Sequence, residues 1–120
     1  MNSGQQYFDS VNYMLTNHKR INRNVVKDTI GIAALYEQLA EECTELGKAA
    51  LKKSRKLRGE NPTPLTNEEI DANVIEELTD IQLVADTLGI EYDKDIYTNK
   101  LNRWTKRVKA KEVLDEDHTS

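Results

Sequence analysis

Two acidic clusters are the residues of this sequence most able to do chemistry. The first, Glu41–Glu45, carries three glutamates in five positions, and the second, Glu76–Asp80, carries two glutamates and an aspartate in five. Carboxylates three positions apart leave the same face of a helix a few ångströms from one another. Such groups bind hard divalent cations and accept protons, so metal binding and acid–base chemistry are the first functions to consider.

Each cluster interrupts an apolar stripe that is predicted to face the core. The two stripes are Ile32, Leu35, Leu39, Glu42 with Cys43, Leu46 and Ala50, and Ile70, Val74, Glu77 with Leu78, Ile81, Val84 and Leu88. Ionised carboxylates that are buried without partners are costly, and two pairs on facing helices also repel each other. We therefore expect a cation between Glu42, Glu45, Glu77 and Asp80.

The donor types in this predicted site favour one class of metal. Four carboxylates without a nearby His or Cys suit Mg²⁺, with Mn²⁺ also possible, better than Zn²⁺. Mg²⁺ completes its coordination with water and phosphate oxygens, which makes a nucleoside triphosphate the natural ligand. The alternative is that both clusters are solvated surface charges and that the helical phase is shifted by one position. The recurrence of the interruption on the second helix favours the metal site.

The glycines and the two prolines divide the chain into helical segments, because both residue types interrupt helices. The predicted helices run from about Tyr7 to Asn17, from Thr29 to Leu57, from Thr66 to Leu88 and from Lys94 to Val113. Residues 22–27 are ambiguous. The predicted fold class is all-α: an antiparallel helical bundle of three long helices plus a short N-terminal helix.

Local signals place the ends of these helices. Asp28, Thr66 with Glu69, and Asp93 are predicted N-caps, while Gly59 and Gly89 are predicted stops. The loop from Gly59 to Leu65 holds both prolines and cannot be helical. Residues 115–120 are expected to form a frayed polar tail.

Composition limits the class of protein. A chain of 120 residues is expected to form one domain over 1–120 with a core at about 28–113, and its 38% apolar content predicts a homodimer or homotetramer. The net charge of −4 argues against stable nucleic-acid binding. Cys43, the only cysteine, is expected to be a small core residue. Without a membrane span or signal peptide, the expected location is cytoplasmic.

The order of the motifs resembles a known family. The segment Leu39–Leu46 followed by Glu76–Ile81 resembles the EExxE and ExxD pair of the MazG-like all-α nucleoside triphosphate pyrophosphohydrolases, and Asn99–Arg103 resembles their Lys and Arg segment. The stretch of 31 residues from Leu46 to Glu76 is longer than that family usually has, and the surplus falls around the loop from Gly59 to Leu65.

The resemblance implies Mg²⁺-dependent hydrolysis of a nucleoside triphosphate to the monophosphate and pyrophosphate. The implied Mg²⁺ ligands are Glu42, Glu45, Glu77 and Asp80, with Glu45 or Glu41 accepting a proton from the attacking water. The substrate-binding residues would be Lys100 and Arg103 on the phosphates, together with Asn99 and Gln38.

Other readings of the same residues stay open. Lys100 and Arg103 also fit a solvated basic face, and Trp104 either stacks on a base or packs with its apolar neighbours. The whole chain also fits a helical protein that binds a nucleotide without cleaving it, or a structural protein whose acidic clusters only face solvent. No pattern in the sequence specifies a base or a sugar.

Overall fold

The computed structural model describes residues 3–60 and 64–119, with side chains through residue 117. Its helices are α1 (Ser3–Ile30), α2 (Ile32–Leu57), α3 (Asn67–Leu88) and α4 (Lys94–Thr119). No strand occurs in these two ranges, so the all-α prediction is confirmed. The chain divides into two compact units, Met1–Ile90 and Glu91–Ser120, and the first unit holds α1, α2 and α3. The single domain expected over 1–120 stays a prediction.

The N-terminal helix is much longer than the sequence pattern predicts. It covers 28 residues, so a short helix from Tyr7 to Asn17 was wrong, and the ambiguous residues 22–27 are helical. Between Gln5 and Ile30 there is no glycine or proline to interrupt the hydrogen-bond ladder. The weak helix formers in this stretch, mainly asparagines, lower helix propensity without ending the helix.

The junction between α1 and α2 is made by Gly31 and not by Asp28. The predicted Asp28 cap is wrong because this residue lies inside α1, and no side chain caps α2. Gly31 has φ 90° and ψ 153°, a backbone conformation that L side chains rarely adopt. The chain therefore breaks at the first residue able to take that conformation.

Helices α2 and α3 form an antiparallel hairpin and make the most extensive helix–helix contact of the first unit. Near the connection, Lys53 on α2 forms an ion pair of 2.7 Å with Asp71 on α3, and the Lys56 ammonium donates to the Leu65 carbonyl. α2 ends at Leu57, as predicted, and Gly59 follows with φ 69°. The hairpin thus places the middle of each helix beside the middle of the other.

The predicted ends of α3 are confirmed. The Thr66 hydroxyl accepts a hydrogen bond from the Glu69 amide at 3.1 Å and donates to the Glu69 carboxylate at 3.2 Å. Gly89 takes the left-handed conformation, with φ 75°, at the C-terminus of the helix. The first end is therefore determined by the Thr66 side chain and the second by the backbone conformation of Gly89.

The core of the first unit lies along the contact between α2 and α3. Its buried apolar residues are Leu35, Ala49, Ile70 and Val84. On α2 the contact residues follow a repeat of alternating four and three residues, so the stripe reaches Ala49 and not the predicted Ala50. The other corrections share this cause: Ile32, Cys43 and Leu78 were predicted to face the core and are exposed.

Helix α4 makes up most of the second unit. The predicted Asp93 cap is confirmed, since its carboxylate accepts from the amides of Asp95 and Ile96 at 2.9 Å each. The helix continues to Thr119, so the predicted helix end at about Val113 was wrong. Residue 120 of the predicted polar tail lies outside the described residues. No glycine or proline follows Gly89, and nothing in the sequence interrupts the helix before the end of the described range.

None of the helices in residues 3–60 and 64–119 carries an apolar run of the length needed to cross a bilayer.

Candidate metal centre

The hairpin brings three of the predicted metal ligands together. Glu42 of α2 and Glu77 and Asp80 of α3 each place a carboxylate oxygen within 4.8 Å of the other two. All three side chains are half-buried. Glu42 occupies a contact position between Leu39 and Leu46, where an apolar residue would normally continue the stripe. Three acids therefore meet at a point of the α2–α3 contact that packing alone would fill with aliphatic groups.

Glu77 lies in an unfavourable electrostatic environment for an ionised carboxylate. Its pKa is raised above the ordinary value of 4.5, first by partial loss of hydration and then by repulsion from Asp80, Glu42, Glu45 and Glu76. The neighbouring carboxylates thus oppose ionisation of Glu77. A cation placed among the three oxygens would reverse this effect.

Glu42 is held by a residue one turn earlier on α2. The Gln38 amide nitrogen donates to Oε1 of Glu42 at 2.6 Å. Gln38 was predicted to contact substrate, but the structure places it beside a candidate metal ligand. The spacing of four residues between a glutamine and an acid was the sequence signal for this contact.

Glu45 lies close enough to Glu77 to contribute to its raised pKa, but it is not one of the three clustered carboxylates. Its Oε1 atom pairs with Nζ of Lys48 at 3.3 Å, and the Glu45 side chain is 51% exposed. Exposed ion pairs of this kind contribute only about 0.2–1 kcal/mol. Glu45 can therefore exchange Lys48 for another cation at little cost.

Glu41 is exposed and lies outside the three-carboxylate group. Adjacent residues point about 100° apart around a helix, so its direction from α2 differs from that of Glu42. Its predicted role in proton transfer stays a prediction.

The donor set of the cluster fits Mg²⁺ or Mn²⁺. All three groups are carboxylates, and such hard oxygen ligands are the ones these ions prefer. Two oxygens bound to one Mg²⁺ at about 2.1 Å lie at most about 4.2 Å apart. The three oxygens lie within 4.8 Å of one another, so the separations exceed that span by at most about 0.6 Å, which small side-chain rotations can remove.

The predicted phosphate-binding residues belong to the second compact unit. Lys100 and Arg103 lie on α4 with Asn99. Lys100 and Arg103, but not Asn99, line a shallow recess of about 590 Å³ together with Trp104, Lys106 and Arg107. Within this unit Trp104 lies on the same helix as these basic residues. The recess combines several cations with one aromatic ring on a single helix.

Comparison with known proteins finds no relative of this chain. No family model matches the sequence, and no curated protein or solved structure is significantly similar to it.

Proposed function

We propose that this protein is a Mg²⁺-dependent hydrolase that converts (deoxy)nucleoside triphosphates to the monophosphate and pyrophosphate. One observation carries the proposal: Glu42, Glu77 and Asp80 come from two helices and gather within 4.8 Å at the centre of their contact. Mutual repulsion at such a place is tolerable when a divalent cation joins the carboxylates. The order of the acidic and basic motifs, which resembles that of the MazG-like family, supports a triphosphate as the substrate.

In this proposal each acidic side chain has a defined task. Glu42, Glu77 and Asp80 would hold Mg²⁺, and Glu45 would be available as a fourth ligand on release of Lys48. Bound Mg²⁺ supplies charge neutralisation for the phosphate oxygens and lowers the pKa of a water molecule. Glu45 or Glu41 accepts the proton that this water loses.

The polar residues around the acids position the reactants. Gln38 fixes the orientation of Glu42 through its hydrogen bond of 2.6 Å. On α4, Arg103 offers a two-pronged donor and Lys100 a point charge to phosphate oxygens. Asn99 adds a neutral donor and acceptor for the substrate.

We also propose that copies of the chain associate as a dimer or tetramer. Only four apolar side chains of the described residues are buried, whereas Ile32, Tyr36 and Leu51 on α2 are 54%, 49% and 60% exposed. Covering such a face stabilises a small chain by about 25 cal/mol per Å² of apolar surface removed from water. Light scattering measures the mass, and a monomer at micromolar concentration contradicts this part of the proposal.

The test of the enzymatic proposal is a pyrophosphate-release assay across the common ribo- and deoxyribonucleoside triphosphates. We expect turnover with Mg²⁺, none with EDTA, and a loss of at least about 100-fold in Glu42→Gln and Glu77→Gln. The matched control is Glu37→Gln, an exposed glutamate of the same helix outside the cluster. Gln38→Ala should weaken Mg²⁺ affinity about tenfold, as loss of a residue that orients a ligand generally does.

Two results would contradict Mg²⁺-dependent hydrolysis at the acidic cluster. Turnover that persists in EDTA shows that the activity does not require a divalent cation, and so does not use the cluster as proposed. Tight triphosphate binding without pyrophosphate release supports the alternative function, a protein that sequesters nucleotides.

A further inference from the structure

A groove between α1 and α3 is separate from the acidic cluster. It has a volume of about 450 Å³, within the range of small-molecule sites, and both of its walls belong to the first compact unit. The α3 wall includes Thr79, Gln82 and Leu83. None of the clustered carboxylates Glu42, Glu77 and Asp80 lines the groove.

The α1 wall of the groove is cationic. Lys19 and Arg23, one turn apart, both line it. Neither forms an ion pair with any other residue of the described ranges. Like charges at this spacing repel each other, so an anion bound between them would remove an unfavourable interaction. A phosphate monoester carries a charge of about −1.5 to −2 at neutral pH, which matches two cations better than a single carboxylate does.

The rest of the groove suits an apolar body that carries hydrogen-bond donors. Val26 and Leu83 face it from opposite walls and are 41% and 57% exposed. The Gln82 amide donates to Oδ1 of Asp86 at 2.8 Å, which leaves the Gln82 carbonyl and the second Asp86 oxygen as acceptors. Asp86 also disfavours a second anionic group at that end.

We propose that this groove is a binding site for a phosphate monoester whose body has apolar surface and hydrogen-bond donors, such as a nucleoside monophosphate. Lys19 and Arg23 bind the phosphate, Val26 and Leu83 enclose the body, and Gln82 with Asp86 accept its hydrogen bonds. The site requires no metal and does not depend on the hydrolysis proposed above.

The experiment is calorimetric titration of the full chain in EDTA with adenosine 5′-monophosphate, adenosine and inorganic phosphate. We expect saturable binding of the monophosphate, and weaker binding of either half alone. The double variant Lys19→Gln with Arg23→Gln should lose at least about tenfold in affinity, because it removes two charge-assisted interactions. Arg20→Gln is the control for charge on α1, because it removes one cation of that helix at a residue outside the groove, where the double variant removes two. Glu77→Gln should leave this affinity unchanged.

A second variant keeps the test independent of folding defects. Leu83→Trp fills the groove without changing charge, and it should abolish monophosphate binding while circular dichroism stays unchanged. The proposal is overturned if the wild-type protein shows no saturable binding at millimolar monophosphate, or if the double variant and Arg20→Gln bind equally well. Inorganic phosphate binding as tightly as the monophosphate would overturn the assignment of the apolar wall.

Discussion

Replacing Glu77 by Gln should change how the stability of the fold responds to Mg²⁺. In the wild-type chain, Glu77 meets Glu42 and Asp80 within 4.8 Å, so an ion bound there stabilises the folded hairpin and not the unfolded chain. Glu77→Gln keeps the size of the side chain but removes one of the three charges. The variant should therefore lose most of the stabilisation by Mg²⁺.

The size of the stabilisation by Mg²⁺ depends on the number of ions that the cluster binds. Three oxygens within 4.8 Å fit one ion, so each tenfold increase in free Mg²⁺ above the dissociation constant should raise the free energy of unfolding by about 1.4 kcal/mol. Over the range that saturates the wild-type site, Glu77→Gln should show little or no such increase.

When Mg²⁺ is removed, the same substitution should raise the stability of the fold relative to the wild type. The raised pKa of Glu77 means that the folded state holds the proton more tightly than the unfolded state. Ionisation of Glu77 therefore lowers stability as the pH rises from 4.5 through the folded pKa. In EDTA, Glu77→Gln should be more stable than the wild type at pH 7, and the two should converge below pH 4.5.

Urea unfolding followed by circular dichroism measures both effects, with Mg²⁺ varied at pH 7 and with pH varied in EDTA. Glu68→Gln serves as the control, because this exposed glutamate of α3 is outside the cluster. Equal Mg²⁺ dependence in Glu77→Gln and Glu68→Gln would refute the metal site. A wild type that is more stable than Glu77→Gln in EDTA at pH 7 would refute the argument from repulsion.

Three further predictions concern the elements that position the cluster, and urea unfolding checks each of them. Ile70→Ala should lower the free energy of unfolding by about 2–5 kcal/mol, because Ile70 is only 1% exposed; a change below about 1 kcal/mol would contradict its place in the core. Thr66→Ala should lower it by about 1 kcal/mol through loss of the bond to the Glu69 amide, and an unchanged midpoint would show that this cap is not needed. Gly89→Ala should lower the free energy of unfolding by about 1–2 kcal/mol because Gly89 has a φ of 75°. Gly47→Ala, inside α2 with open space beside it, should raise the free energy of unfolding by about 0.5–1 kcal/mol. If both substitutions change the free energy of unfolding in the same direction, the backbone argument is contradicted.

The parts of the fold that are determined by residues close together in the sequence could be predicted. Thr66, Gly89 and Asp93 determine helix ends through hydrogen bonds or backbone conformations within four residues of themselves. The apolar spacing on α3 likewise predicted that Ile70 and Val84 would be buried. Such signals do not require knowledge of what packs against the helix.

The wrong predictions concern features that depend on the packing of another helix or on the absence of a helix-breaking residue. The extent of α1 depends on the absence of a breaker before Gly31, which a search for apolar periodicity does not register. Burial of Ala49 instead of Ala50, and the exposure of Cys43, depend on the path of α3 along α2.

The candidate site shows the same division. Spacing alone predicted that Glu42 lies on the inward face of α2 and that Glu77 and Asp80 share one face of α3. The hairpin brings these three carboxylates together. The pairing of Glu45 with Lys48 and of Gln38 with Glu42 depends on side-chain rotamers that spacing does not determine. The functional assignment of all these residues stays a prediction.

Two lysines near the end of α2 affect how the protein tolerates insertions in the connection between α2 and α3. Lys53 pairs with Asp71 near the start of α3, and Lys56 donates to the carbonyl of Leu65, two residues before α3 begins, so both contacts follow the prolines of the connection. The relative alignment of the two acid-bearing helices therefore does not rely on the length of the chain between Gly59 and Pro64. Because the entropy of closing a loop grows only logarithmically with its length, a peptide tag or reporter inserted there should leave the carboxylates in register.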